Sequence, residues 1–327
     1  MLDIITFGSA AIDIYLKSKK LNLVDSNKFP TGTGVCFSLG SKIEIDDIIF
    51  LGGGGGTNTA ETFSRQGLKT GYCGMVGKDM AGEEVIKDLA DSGVESFIVR
   101  TDKRKTNQSV ILSQNGNERS VLVCRGASGE LSRKDIPFNK LKAKFFYFAP
   151  LSGKLCHDFE FLVNFAHESG AKVVVNPSSY QLALPKDKFK RIIKKVDILI
   201  LNQEEASLLT GIPFEKEEEL FKKIDCYCPG IAIMTKGSEG VVVSDGKNIY
   251  RAKSLKTKEV DATGAGDAFS SGFISGFIET NGDIEYAIRL GIANSVSCIK
   301  KMGARNGLLK REDKWEKVKV EKIAIKN

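Results

Sequence analysis

The stretch VDATGAGDAFSSGF, residues 260–273, places Gly264, Ala265 and Gly266 directly before a helical pattern. Side chains this small let the backbone turn tightly, so that successive N–H groups converge on one point at a helix N-terminus. Such a terminus holds an anion: a phosphate, or the charge that develops on one during transfer. Asp267 opens the same helix. It could be only an N-terminal cap or dipole partner, a reading that accounts for the aspartate but not for the paired glycines ahead of it. A carboxylate beside an anion hole is costly unless it works there, and accepting a proton from an alcohol nucleophile fits. Beyond it, Ala268, Gly272 and Gly276 form a small-residue row at spacing four, which lets the helix pack closely on a neighbour.

The richest glycine segment lies elsewhere, in LGGGGGTNTAETFSRQG, residues 51–67. A flexible linker would be longer and mixed with Ser or Pro, whereas this run joins an apolar IIFL directly to a helix. The dinucleotide fingerprint G-x-G-x-x-G fails, since its last position falls on Thr57 or Asn58, and no P-loop occurs anywhere in the chain. The run delivers bare amides at a helix start, where Asn58 can cap and Glu61 can complete a capping box; Gly67 sits where the helix would stop. Glycines alone serve an anion or a polyol equally well.

Short apolar runs alternate with helical-period stretches over most of the 327 residues. Expected buried strands are Leu2–Phe7, Thr70–Met75, Lys144–Phe148, Lys172–Asn176, Asp197–Leu201 and Ile231–Thr235, with helices over Gly82–Ser92, His157–Ser169 and Glu204–Thr210 between them. That alternation predicts a doubly wound α/β fold, its sheet mostly parallel and covered on both faces. Asp245-Gly246-Lys247 between Gly240–Ser244 and Asn248–Ala252 reads as a hairpin, followed by long helices over Asp267–Thr280 and Ile284–Lys301. Two β-rich regions, about 12–50 and 95–124, break the alternation, with Asn115-Gly116-Asn117 as a turn in the second. They predict a small, discontinuous β-sheet lid beside a single domain spanning 1–327. Apolar residues at 42% and charged residues at 27% supply a core and a solvated surface. The net charge of +7 is dispersed rather than clustered, which argues against nucleic-acid binding. Seven cysteines without metal or disulfide spacing read as reduced thiols, as in a cytoplasm. No signal-peptide pattern opens the sequence, and no apolar run approaches the roughly 20 residues that span a membrane.

DATGAGDAF resembles the C-terminal signature of the ribokinase-like (PfkB) sugar kinases, and GGGGGTNTAETFSRQG resembles their N-terminal one. NQEE at 202–205 and TKGSEG at 235–240 are similar to that family's N-x-x-E motif and nucleotide-side loop, in the same order along the chain. The resemblance implies a ribokinase-like fold and an ATP-dependent kinase for a small carbohydrate. By position it makes Asp267 the base, with Gly264, Ala265 and Gly266 forming the anion hole. It puts Asp13, Gly53, Gly54 and Asn58 at the acceptor, and Asn202, Thr235 and Gly237 at the nucleotide. Glu205 would organise Mg²⁺ through water, with Asn202 beside it; N-x-x-E taken alone is a capping box. Asp261 and Thr263 match positions that hold a monovalent cation such as K⁺ in many relatives. GIANSVSCIKKMGA, 291–304, resembles the adenine-side helix and turn, bringing Asn294 to the nucleotide, with Lys301 where an Arg is frequent.

Ala11 stands where ribokinases proper carry an Asn, which sets ribose in doubt. Arg125 resembles the arginine with which 2-keto-3-deoxygluconate kinases hold a carboxylate, while Arg104 and Lys105 could meet a sugar phosphate. A nucleoside acceptor would need an apolar slot, for which Phe37 and Phe50 are candidates. A non-catalytic sensor on the same fold would have no need of the base. The lid's open edges and apolar face predict a homodimer formed through it.

Overall fold

The computed structural model describes residues 1–18, 21–29, 32–113 and 119–325. The chain enters through β1 (Leu2–Phe7), then leaves the main sheet as β2 (Ala11–Lys17), the hairpin β3 (Asn22–Asp25) and β4 (Thr33–Cys36), and β5 (Asp47–Gly53). Helix α1 (Gly55–Arg65) returns it to β6 (Thr70–Gly77), α2 (Met80–Asp91) and β7 (Glu95–Thr101). A second excursion, β8 (Asn107–Ser113) and β9 (Arg119–Cys124), precedes β10 (Ala143–Phe148). Helices α3 (Gly153–His157) and α4 (Phe159–Glu168) lead to β11 (Lys172–Val175), and α5 (Ser179–Leu182) and α6 (Lys186–Ile193) to β12 (Ile198–Asn202). Then α7 (Gln203–Thr210) and α8 (Glu217–Tyr227) lead to β13 (Ile231–Thr235) and the hairpin β14 (Val241–Ser244) and β15 (Asn248–Ala252). Helices α9 (Ala265–Glu279) and α10 (Ile284–Ile299) precede the last strand, β16 (Val320–Ala324).

Among the described residues the main sheet has ten strands in the order β16-β15-β14-β13-β12-β11-β10-β1-β6-β7. The run from β13 to β7 is parallel throughout, and the three strands after β13 add antiparallel. Strand alternation decides the two cores. Phe146, Phe148, Val173, Val175, Leu199 and Leu201 face one layer with α4, α6, α7 and α8. Tyr147, Val174, Ile198, Ile200 and Ile233 face the other, with α9 and α10. The small-residue row does pack closely: a Cβ on Gly276 would come 3.0 Å from the Cα of Ala287, and one on Gly272 would come 3.1 Å from that of Gly291.

The lid is a second sheet, β5-β2-β8-β9, in which β2 pairs parallel with β8 and the other pairs are antiparallel. The expected lid boundaries need correction. Glu95–Thr101 pairs parallel with β6 as the edge of the main sheet, because its Phe97 is drawn into the main core. Of the residues 42–50, only those from Asp47 onward form a strand, and β3–β4 stand apart as their own pair. The expected turn at Asn115-Gly116-Asn117 lies outside the described residues. No helix among the described residues is long and apolar enough to cross a membrane.

Candidate active site

A cleft of about 550 Å³ opens between the lid and the C-terminal ends of the parallel strands, where α/β sheets bind ligands. Asp13 and Ser109 line it from the lid, Asn202 from the end of β12 and Glu205 from the first turn of α7. Strand register brings together two residues expected at the nucleotide, since Asn202 lies opposite Thr235 across β12 and β13. Gly237 follows with φ 56° in an open turn.

The two glycine motifs meet at Asp267. Its Oδ2 accepts from the Asn58 side-chain amide at 2.9 Å, and a Cβ on Gly55 would stand 3.4 Å from its Oδ1. Burial pushes the Asp267 carboxyl above the usual aspartate range, and the charge of Asp13 adds to the shift; the Asn58 hydrogen bond and the Arg305 guanidinium oppose it. Gly264 holds the left-handed conformation that starts α9, with φ 78°, and a Cβ there would fall 2.5 Å from that of Ala304. Around Gly266 there is open space instead. The Ala265 amide turns back onto the Ala262 carbonyl at 3.2 Å, so the first-turn amides left for an anion are those of Gly266 and Asp267. Ala265 therefore contributes its size rather than its N–H, which corrects the expected anion hole.

The five-glycine run behaves differently. The Gly55 amide donates to the Ser9 hydroxyl at 3.3 Å and the Gly56 amide to the Ser9 carbonyl at 3.1 Å, so this helix start is capped from within. The glycines serve close approach. A side chain on Gly53 would collide with the Asp13 carboxylate, and one on Gly54, with φ 95°, would meet the Ser9 carbonyl at 2.5 Å. Gly54 lines the cleft, while Gly53 lies behind Asp13. Asn58 is not the cap. Gly54 occupies that position, and Asn58 sits one turn inside α1, where it spans Asp267 and Arg305. Glu61 completes no box either; it bonds Arg65 at 2.7 Å and the Ser92 hydroxyl.

Asn202 and Glu205 do form a capping box at the start of α7, with bonds of 2.8 and 2.9 Å. Burial raises the Glu205 pKa, partly offset by its bond from the Asn202 amide. Only one of its oxygens is committed to the cap, and the residue lines the cleft. Burial also acts upward on Asp261, but hydrogen bonds from Thr263, Tyr15 and the Gly303 amide outweigh it and hold the carboxyl below its usual range. Those donors, at 2.6 to 2.9 Å, tie the turn before α9 to lid strand β2 and to the segment after α10. Asn294, expected at the nucleotide, is 0% exposed. Its amide donates to Ala268 at 2.8 Å and its carbonyl accepts from Leu309 at 2.9 Å, so it holds α9 and α10 together inside the protein.

Arg125 lines the cleft, with its guanidinium 5.5 Å above the Tyr180 ring. Arg104 lies 3.9 Å from Glu130, outside the cleft lining, as does Lys105. Phe50 pairs in register with Ile14 and lines a groove of about 760 Å³ on the opposite face of the lid from Asp13; Phe37 lines neither cavity. The apolar base slot therefore has no support from these two rings. Sequence reasoning also missed Tyr15, Ser9 and Arg305, for none of them sits in a glycine motif.

Residues 1–311 match the model of the pfkB family carbohydrate kinases. An uncharacterised sugar kinase from Archaeoglobus fulgidus is 30% identical over 76% of this chain and 99% of its own length. A ribokinase from Haemophilus influenzae is 27% identical over 81% of this chain and 86% of its own. The fold superimposes on that of Arabidopsis thaliana ribokinase, solved with ribose and ATP, with a TM-score of 0.76 at 22% identity, covering 95% and 96% of the two chains. The chain belongs to the pfkB family of carbohydrate kinases, phosphotransferases that act on an alcohol group.

Proposed function

We propose that this kinase transfers the γ-phosphoryl group of ATP to a hydroxyl of a small carbohydrate, with Asp267 as the base. The observation that carries the reading is the convergence of both glycine motifs on that one carboxylate, raised in basicity by burial and held by Asn58. Asp13 accepts hydrogen bonds from acceptor hydroxyls, with Gly54 and the lid closing around them. As the reacting oxygen bonds to phosphorus, its proton passes to Asp267, and the bridging oxygen leaves with ADP, taking the electron pair. The amides of Gly266 and Asp267, at the positive end of α9, stabilise the charge on the group in flight. Asn202, Thr235 and Gly237 border the nucleotide.

Bound Mg²⁺ neutralises the phosphates during such transfers. The residues fit it through water. No cluster of three or more His, Cys, Asp or Glu able to hold a metal occurs among the described residues, and Mg²⁺ needs only one or two carboxylates beside phosphate oxygens. Glu205 supplies one, with a single oxygen committed to the cap.

Arg125 in the cleft favours a second acceptor class, a sugar acid or sugar phosphate, whose anion a guanidinium binds in bidentate fashion. The test is a panel of sugars, sugar acids, sugar phosphates and nucleosides with Mg·ATP and coupled ADP detection. Neutral sugars lead on the first reading, and Arg125→Ala leaves their KM within about twofold. An anionic sugar in the lead, with its KM raised at least about tenfold by Arg125→Ala, selects the second. Nucleosides alone would contradict both. The outer lid face exposes Ile48, Phe50 and Leu122, and we infer that a second copy of the chain covers it.

A further inference from the structure

One buried guanidinium underlies the site, outside both glycine motifs. Arg305 is 8% exposed. Its Nε donates to Asn58 Oδ1 at 3.0 Å, and its Nη2 donates to the Gly53 carbonyl at 3.0 Å and the Thr57 hydroxyl at 2.7 Å. Nη1 lies 3.6 Å from Asp88 Oδ2. Gly52 has to be glycine for this packing, since a Cβ there would collide with Nη1. The arginine's own backbone is anchored: its carbonyl accepts from Arg65 at 3.0 Å, and two residues earlier the Gly303 amide donates to Asp261 at 2.8 Å.

Taking a guanidinium out of water is costly, so its partners must return that energy. The charged and titratable groups acting on it are Asp88 from α2, Glu61 from α1, Asp13 from β2 and Tyr72 from β6, with Asp267 of α9 interacting with it as well. Asp267 interacts with Arg305, Asn58 and Asp13, and its charge also acts on Cys298 of α10 and Tyr147 of β10. The bond to Asn58 has a directional consequence. A guanidinium only donates, so the end of the amide turned to it is the oxygen, and the end turned to Asp267 is the nitrogen. Without Arg305 the amide keeps only its donor bond to the carboxylate; its Oδ1 loses its anchor, and the side chain can swing about that single contact.

We propose that Arg305 is a positioning residue for phosphoryl transfer. It fixes the Asn58 amide so that Nδ2 holds Oδ2 of Asp267, which leaves Oδ1 for the acceptor hydroxyl. The proposal rests on the reading of Asp267 as the base. The guanidinium also offsets part of the burial shift on that carboxyl.

The test uses the full chain with Mg·ATP and the panel acceptor of highest turnover. Arg305→Met lowers kcat by about 10- to 100-fold, the scale of a misplaced catalytic group, and moves the acid limb of kcat to higher pH. In an Asn58→Ala background the same change costs less than about threefold more, because the contact it acts through is already gone. Equal losses in both backgrounds, or wild-type kcat with an unmoved limb, overturn the proposal. Should Arg305→Met not fold, Arg305→Lys keeps the charge and loses the fork. It then shows a lower kcat with the acid limb in place, and wild-type kcat in Arg305→Lys overturns the proposal. Asp267→Asn is assayed alongside. Full turnover in it sinks the base assignment and this proposal together, whereas its inactivity beside an unaffected Arg305→Met sinks the role of Arg305 alone.

Discussion

At Asp267, the proposed base, burial sets stability against the function assigned to it. Its carboxyl is pushed above the ordinary aspartate range, chiefly by burial. The native state therefore holds the proton more tightly than the unfolded chain does. The stability this contributes is complete below the unfolded pKa and is lost as pH rises through the native one, so at neutral pH the ionised carboxylate is a liability. Asp267→Asn removes the charge and keeps an oxygen for the Asn58 amide. Its Tm at pH 7 is expected to lie about 1–3 °C above wild type, with the advantage vanishing on acidification below the carboxylate range. Calorimetry across that pH range checks it; a lower Tm at pH 7 would show that the ionised form is stabilised instead.

At the scale of elements, two helix starts rich in glycine do opposite things. Ser9 caps α1 from within, whereas α9 leaves the Gly266 and Asp267 amides for a ligand. A third start, that of α7, is a capping box built from the same residues expected to serve Mg²⁺. Structure and metal separate in Glu205→Gln. Glutamine still completes the box, so stability stays within about 0.5 kcal/mol, while the Mg²⁺ concentration for half-maximal rate rises several-fold. An unchanged Mg²⁺ requirement in a titration of rate would leave Glu205 with the cap alone. The motifs themselves were legible because glycine at a tight approach and Asp at a helix start are local demands. The capping role open to Asn58 in sequence fails because α1 begins three residues earlier, where a positive φ at Gly54 turns the chain. Arg305 was invisible, for its partners are about 250 residues away in the chain and a single arginine carries no periodic signal.

Across the whole molecule, the alternation of apolar runs and helical stretches was enough to read the parallel sheet, since buried strands need no polar face. The lid was legible as a set of insertions but not in its edges. Glu95–Thr101 looks like a lid strand in sequence and becomes a sheet edge only because Phe97 reaches the main core. The lid's outer face leaves Phe50 at 65% and Leu122 at 60% exposure, apolar area that the proposed second copy would cover. Light scattering at micromolar concentration is expected to give twice the chain mass for wild type and the chain mass for Leu122→Asp; a wild-type monomer would contradict the lid-mediated dimer.

On the proposed assignment, Asp267 takes the acceptor's proton where the two glycine motifs meet. Single-turnover transfer from Mg·ATP to the best panel acceptor, with nucleotide affinity measured by calorimetry, tests it in wild type and Asp267→Asn. Transfer is expected to be at least about 100-fold slower in the variant, with the nucleotide Kd within about threefold. Transfer within about tenfold of wild type, at unchanged nucleotide affinity, would contradict it.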